Sequence, residues 1–148
     1  MSRTAAGVAI IATDGPGGRS GATVSSFSSL SLEPPSVLAC IHLTSHTLAA
    51  IRLNRVFCVN VLGEDQAALA EIFARDCEPR SARFAQGAWR KAGSGAPMLE
   101  GAVAHFDCRL ATEFGFGSHA IVVGEATDAL SHEGRPLIYS ARAFHRLP

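Results

Sequence analysis

Residues 21–43 read Gly21-Ala-Thr-Val-Ser-Ser-Phe-Ser-Ser-Leu-Ser-Leu32, then Glu33-Pro34-Pro35, then Ser36-Val-Leu-Ala-Cys-Ile-His-Leu43. Two β-prone runs flank a pair of prolines. Proline has no backbone N–H to give to a ladder, so one strand must stop at Glu33 and another restart at Ser36. The same pattern continues on both sides. Upstream, the apolar run Gly7–Thr13 ends in the turn formers Asp14-Gly-Pro-Gly-Gly18. That cluster lacks the Lys-Ser/Thr and the following helix of a phosphate loop, and predicts a hairpin turn.

Downstream, Val56–Leu62 is strand-like, and His119–Gly124 is apolar on both faces, as a central strand should be. Between them Ala104, Phe106, Cys108 and Leu110 alternate with Val103, His105, Asp107 and Arg109, which predicts one apolar and one partly wet face. Gly115–Ser118 and Ser131–Gly134 read as turns, the second leading into a last strand, Pro136–Leu147. Ser45 is placed to cap a short helix to about Leu53, and Asp65 to cap another, Gln66–Arg75, with Leu69, Ile72 and Phe73 on one face. Residues 76–97 show no period and read as a surface excursion. About seven strands and two short helices predict a mainly β barrel forming one domain over residues 1–148, not a doubly wound sheet.

Lys+Arg and Asp+Glu each number 13, so the formal net charge is zero. A nucleic-acid or anionic-membrane partner would require a basic stripe, and none is visible. No apolar run approaches the ~20 residues of a membrane span. The start of the chain has one arginine and no signal-type apolar core, which makes the cytoplasm the expected location. Cys40, Cys58, Cys77 and Cys108 form no Cys-x-x-Cys pair, and the six histidines have no zinc-type spacing, so no metal is expected.

Three features could carry chemistry. Thr23–Ser31 packs five serines and a threonine into nine positions, either a set of uncharged donors for a flat heterocycle or merely the solvated face of a strand. Ser45-His46-Thr47, at a helix start, is either a phosphate seat or a plain N-cap. His119 follows a glycine turn, either at the mouth of a pocket or bonded to a nearby carbonyl. No Gly-x-Ser-x-Gly elbow, Walker lysine or Gly-x-Gly-x-x-Gly fingerprint accompanies them.

In order along the chain, GVAIIAT (7–13), GATVSSFSSLSLEPPSVLACI (21–41), SHTLAAI (45–51), FCVNVL (57–62), Gln66-x-x-Leu69-x-x-x-Phe73, ARF (82–84) before Trp89, LEGAVAHFDC (99–108), GSHAIVVGEA (117–126) and PLIYSARAFHRL (136–147) resemble the short-chain flavin reductases of two-component flavin monooxygenases. The resemblance implies an FMN-binding split β-barrel that reduces FMN or FAD with NADH, or less readily NADPH, usually as a homodimer serving a separate monooxygenase. It implies flavin contacts at Thr23, Val24, Ser25 and Ser26, a neighbouring strand at Cys40 and Ile41, and a phosphate region at Ser45, His46 and Thr47. His119 would face the nicotinamide, and Arg142 would lie near it. Relatives often read Arg-Gly-x-Tyr where this chain has Ala141-Arg142-Ala143-Phe144. Two alternatives stay open: a reductase that keeps its flavin and serves another acceptor, such as a cobalt corrinoid, and a non-enzymatic flavin-binding barrel.

Overall fold

The computed structural model describes residues 2–75 and 79–148. Its main sheet has seven antiparallel strands in the order β3-β2-β6-β9-β10-β5-β4. These are β2 (Ala9–Thr13), β3 (Ser20–Val24), β4 (Phe27–Leu32), β5 (Pro35–His42), β6 (Val56–Val61), β9 (Ala104–Phe116) and β10 (His119–Ser131). The serine-rich run is thus two strands. It breaks at Ser25-Ser26, where the chain crosses from one edge of the curled sheet to the other, and the Cys40 N–H donates to the Ser26 carbonyl across this seam. The sheet is a barrel split at the point where the hydroxyls concentrate.

Its interior is filled by Ile11, Val37, Ala39, Ile41, Phe57, Val59, Leu110 and Val122, closed by Leu48 and Ile51 of helix α1 (His46–Asn54). Each large aliphatic or aromatic side chain so buried stabilises the fold by about 1.5–3 kcal/mol. A second apolar layer, with Val8, Ile10, Leu62, Phe73, Phe84, Leu99 and Leu137, lies outside the barrel. It sits under helix α2 (Ala67–Ala74), a 3₁₀ turn (Arg80–Ala85) and a small sheet of β1 (Ala6–Gly7), β11 (Ile138–Ser140) and β12 (Ala143–His145).

Several expectations are corrected. Helix α2 starts one residue later than Gln66, and Gln66 rather than Asp65 is its N-cap. The last strand is a hairpin, β11–β12, because Ala141 and Arg142 turn the chain back. Strand β10 is central, but Ile121 on its outer face is 36% exposed, so only one face is fully dry. Within residues 79–97, expected to be without regular structure, lies the 3₁₀ turn, and strand β7 (Trp89–Lys91) pairs with β8 (Pro97–Leu99). Cys77 lies outside the described residues.

That β7–β8 hairpin explains another correction: His105 and Asp107, expected on a wet face, are buried. Asp107 accepts from the Ser94 N–H and hydroxyl, at 2.8 and 2.5 Å. His105 Nε2 donates to the Leu99 carbonyl at 2.6 Å, which leaves Nδ1 an unprotonated, buried atom without a partner beside the His132 ring. Burial, with His132 and Arg90 adding to it, holds His105 below the usual imidazole range. The unfolded chain therefore takes up a proton here more readily than the native one. The resulting stability is complete above the ordinary histidine value of about 6.5 and is lost as pH falls toward the lowered native value, by at most about 1.4 kcal/mol per pH unit. Urea midpoints should fall between about pH 7.5 and 5.5, and His105→Asn should flatten that fall. An equal slope in the variant would assign the acid sensitivity elsewhere.

Candidate active site

Three adjoining cavities surround strand β3. The first, about 280 Å³, is lined by Ala22 to Ser26, Cys40, His42, Ser45 and His119. The second, about 260 Å³, lies at the N-terminus of α1, with Ser45, His46 and Thr47 facing Arg75, Arg80 and Arg83. The third, about 410 Å³, joins Thr23, Val24 and Ser25 to Arg75, Tyr139, Arg142 and Phe144. Together they reach the size of small-molecule sites, roughly 300–1,000 Å³. A comparable cavity of about 450 Å³ opens at Ser94, Asp107 and Asp128, apart from these residues, and Asp107 there is already satisfied by Ser94.

The serine-rich stretch divides between its two readings. Ser25 and Ser26 are exposed at the seam, and neither hydroxyl has a protein partner among the described residues. Thr23 donates its hydroxyl to the Ala70 carbonyl at 2.7 Å, so it offers a ligand only its acceptor side. Ser28 and Ser31 bond locally within the β4 edge and its turn. Strand alternation sorts the next pair: Cys40 and His42 line the cavity, whereas Ile41 points into the barrel core. Ile41 therefore supports the site from beneath and does not contact the cavity. The buried thiols of Cys58 and Cys108 are pushed upward by desolvation, Cys108 to about 12, and are inert.

Ser45 caps α1 by accepting from the Thr47 N–H. Thr47 is buried, its hydroxyl 2.8 Å from that of Ser20. His46 is exposed at the same helix start. Opposite them, Arg83 is 93% buried, counting from its 7% exposure. Its Nη1 makes long contacts with the Gly21 and Phe73 carbonyls, 3.4 and 3.3 Å, while its guanidinium lies over the Phe73 ring. The Phe73–Phe84–Trp89 aromatic cluster pins this segment. The Arg83 Nε is buried with no partner among the described residues. A buried cation with unused donor capacity, facing a helix N-terminus, matches an anionic ligand.

Two histidines stand at the rim. His119 and His42 are register partners on β10 and β5, with rings 5.1 Å apart in a T-shaped contact. The Thr44 N–H donates to His42 Nδ1, so Nε2 of that ring carries the proton. His119 Nδ1 lies 2.8 Å from the Ser118 hydroxyl. The chain is neutral overall, yet these cavities gather Arg75, Arg80, Arg83 and Arg142, and Glu71 is the carboxylate among the described residues that line them.

The family model described as "Flavin reductase like domain" matches residues 1–148. The chain belongs to this flavin reductase family. Among curated relatives, FMN reductase (NADH) RutF 1 of Methylorubrum extorquens (strain PA1) is 44% identical over all of this chain and 73% of its own length. BorF, the flavin reductase component of a bacterial two-component tryptophan halogenase, superposes with a TM-score of 0.92 at 32% identity, covering 99% of this chain and 93% of its own. Nitrilotriacetate monooxygenase component B from Mycobacterium thermoresistibile gives 0.90 at 31%, with 99% and 82% covered.

Of the flavin reductase residues expected from sequence, the structure brings Thr23 to Ser26, Cys40, Ser45 to Thr47 and His119 around two adjoining cavities, and Arg142 onto the third. Missed were His42, which follows Cys40 at strand spacing, and Arg75, Arg80 and Arg83. Those arginines stand at or beside a stretch without period, where no facing relation can be read from spacing.

Proposed function

We propose that this protein, acting as one domain over residues 1–148, reduces FMN with NADH. The observation that carries the reading is the cationic, helix-capped cavity adjoining the uncharged hydroxyl seam. FMN has the matching halves, a dianionic phosphate and a neutral polar ring edge. Arg83, with its unpartnered buried Nε, fits the phosphate together with Ser45, Thr47 and the start of α1. Ser25, Ser26 and the β3 backbone fit the ring edge, with Cys40 and His42 as the adjoining wall. FMN, when bound, supplies the hydride-accepting N5 and a face for stacking. The protein would bind and orient FMN and exclude water from its ring. His119, held at Nδ1 by Ser118, has Nε2 left to position the nicotinamide. The names of the curated relatives support FMN and NADH.

NADH oxidation dependent on added FMN tests the reading, run in parallel with FAD. A chain that neither binds FMN nor oxidises NADH in its presence would refute it. His119→Ala should slow flavin reduction about tenfold, the worth of one positioning hydrogen bond, with FMN affinity unchanged. Unaltered kinetics would make the histidine structural.

Reduced FMN would pass to a separate monooxygenase component, as the name of component B suggests; the name of BorF's system puts a halogenase in the corresponding place. The protein would act as a homodimer in the cytoplasm. Among the described residues no helix is long and apolar enough to cross a membrane.

A further inference from the structure

His42, so far only a wall of the ring cavity, also lines the cavity at the start of α1. It ends β5 directly opposite His119, the first residue of β10. Side chains of residues so paired stand side by side on one face of the sheet. Here that places the two rings 5.1 Å apart, with their planes at 69°. Edge to face is an arrangement that aromatic pairs favour, so each ring limits the angles open to the other.

The two rings are not equally secured. His42 Nδ1 meets Thr44 twice, accepting from its N–H at 3.2 Å and lying 2.8 Å from its hydroxyl. These contacts set both the angle and the tautomer of the His42 ring, with the proton on Nε2. The strand end is tied down as well, because the Leu43 N–H donates to the Ser118 carbonyl at 2.9 Å. His119 has less to hold it. It is exposed, it stands two residues after the left-handed Gly117, and its ring has one hydrogen-bond partner among the described residues, the hydroxyl of the exposed Ser118. A serine hydroxyl rotates to suit its partner and can follow the imidazole through a range of angles. The fixed body against which the His119 ring settles is therefore His42.

We propose that His42 is a positioning residue for His119: anchored by Thr44, it holds the imidazole at the angle that presents Nε2 to the nicotinamide. The inference rests on the reductase reading for what His119 meets, and deepens it. Angular control of this kind acts on rate, since a misplacement of about 1 Å can cost about 100-fold. The His42 tautomer also speaks against a metal ion between the rings: a protonated Nε2 has no lone pair to give, and Nδ1 is already taken by Thr44.

Two measurements on the full chain test the role, and the first does not depend on activity. Carbon-13 relaxation of the His119 ring C–H groups should show the order parameter falling in His42→Ala and returning in part in His42→Phe, which restores an aromatic edge. His42 is exposed, so His42→Ala should melt with the parent. The second is NADH oxidation at saturating FMN, where His42→Ala should lower kcat about three- to tenfold and His42→Phe should recover part of it. The double variant with His119→Ala should be no slower than His119→Ala alone, because a residue that acts through another then has nothing to act on. Losses that multiply in the double variant would overturn the role, as would weakened FMN binding with an unchanged kcat, which would make His42 a flavin contact. An unchanged His119 order parameter in His42→Ala would overturn it even in an active reductase. A lowered order parameter in a chain unable to oxidise NADH would uphold the hold on His119 and remove the reductase reading.

Discussion

Exchange of Arg83 for methionine is expected to weaken FMN binding between about 10- and 100-fold, because hydrogen bonds to charged groups contribute about 1.5–3 kcal/mol each. Methionine matches much of the buried volume, and the long Nη1 contacts to Gly21 and Phe73 are weak, so folding should lose less than about 1.5 kcal/mol. Riboflavin, which lacks the phosphate, is the control: its affinity should not change. Arg83→Lys should recover part of the FMN affinity, since a point charge survives while the planar fork is lost. Flavin fluorescence titrations would read all of these. If FMN and riboflavin lost affinity alike, Arg83 would be a brace between β3 and the end of α2, and the phosphate would have to sit elsewhere.

Arg83 also marks where the sequence stopped being readable. Strand existence was legible because alternation and proline breaks are local: the hairpin around Glu33-Pro34 and the capping of α1 by Ser45 follow from neighbours along the chain. The barrel seam was not, since Gly21–Leu32 satisfies strand chemistry throughout and only the closure of the sheet shows that Ser25-Ser26 must cross it. The same limit hid the arginines. Arg83 reaches the site because Phe73, Phe84 and Trp89, on a helix, a 3₁₀ turn and a strand with no common period, stack into one cluster. His105 and Asp107 read as wet by alternation, and became buried only because β7–β8 folds over them. Ile41 failed in the opposite direction: a matched segment carried it into the site, and strand periodicity takes it out.

Gly124→Ala should be the most damaging small substitution in the barrel. Gly124 is buried on β10, at a register shift against β9. A β-carbon there would overlap Cζ of the fully buried Phe57 and come within 2.8 Å of Cys108 Cβ. Neither neighbour can retreat, because both belong to the packed interior and Phe57 is among its largest side chains. Overpacking of this kind costs typically 1–3 kcal/mol, and the fixed Cys108 Cβ beside a fully buried Phe57 ring places this site at the upper end. The damage should reach the active site as well. Five residues along the same strand His119 is held opposite His42, so any slip of β10 to relieve the clash shifts that pair. Phe57→Leu removes the overlapping ring atoms, and in the double variant part of the loss should return, giving a coupling of about 0.5–3 kcal/mol between contacting sites. Urea unfolding of the four proteins in that cycle measures it. Additive losses would mean that the strand, rather than Phe57, yields to the new methyl group, and NADH oxidation should then fall in the single and double variants alike.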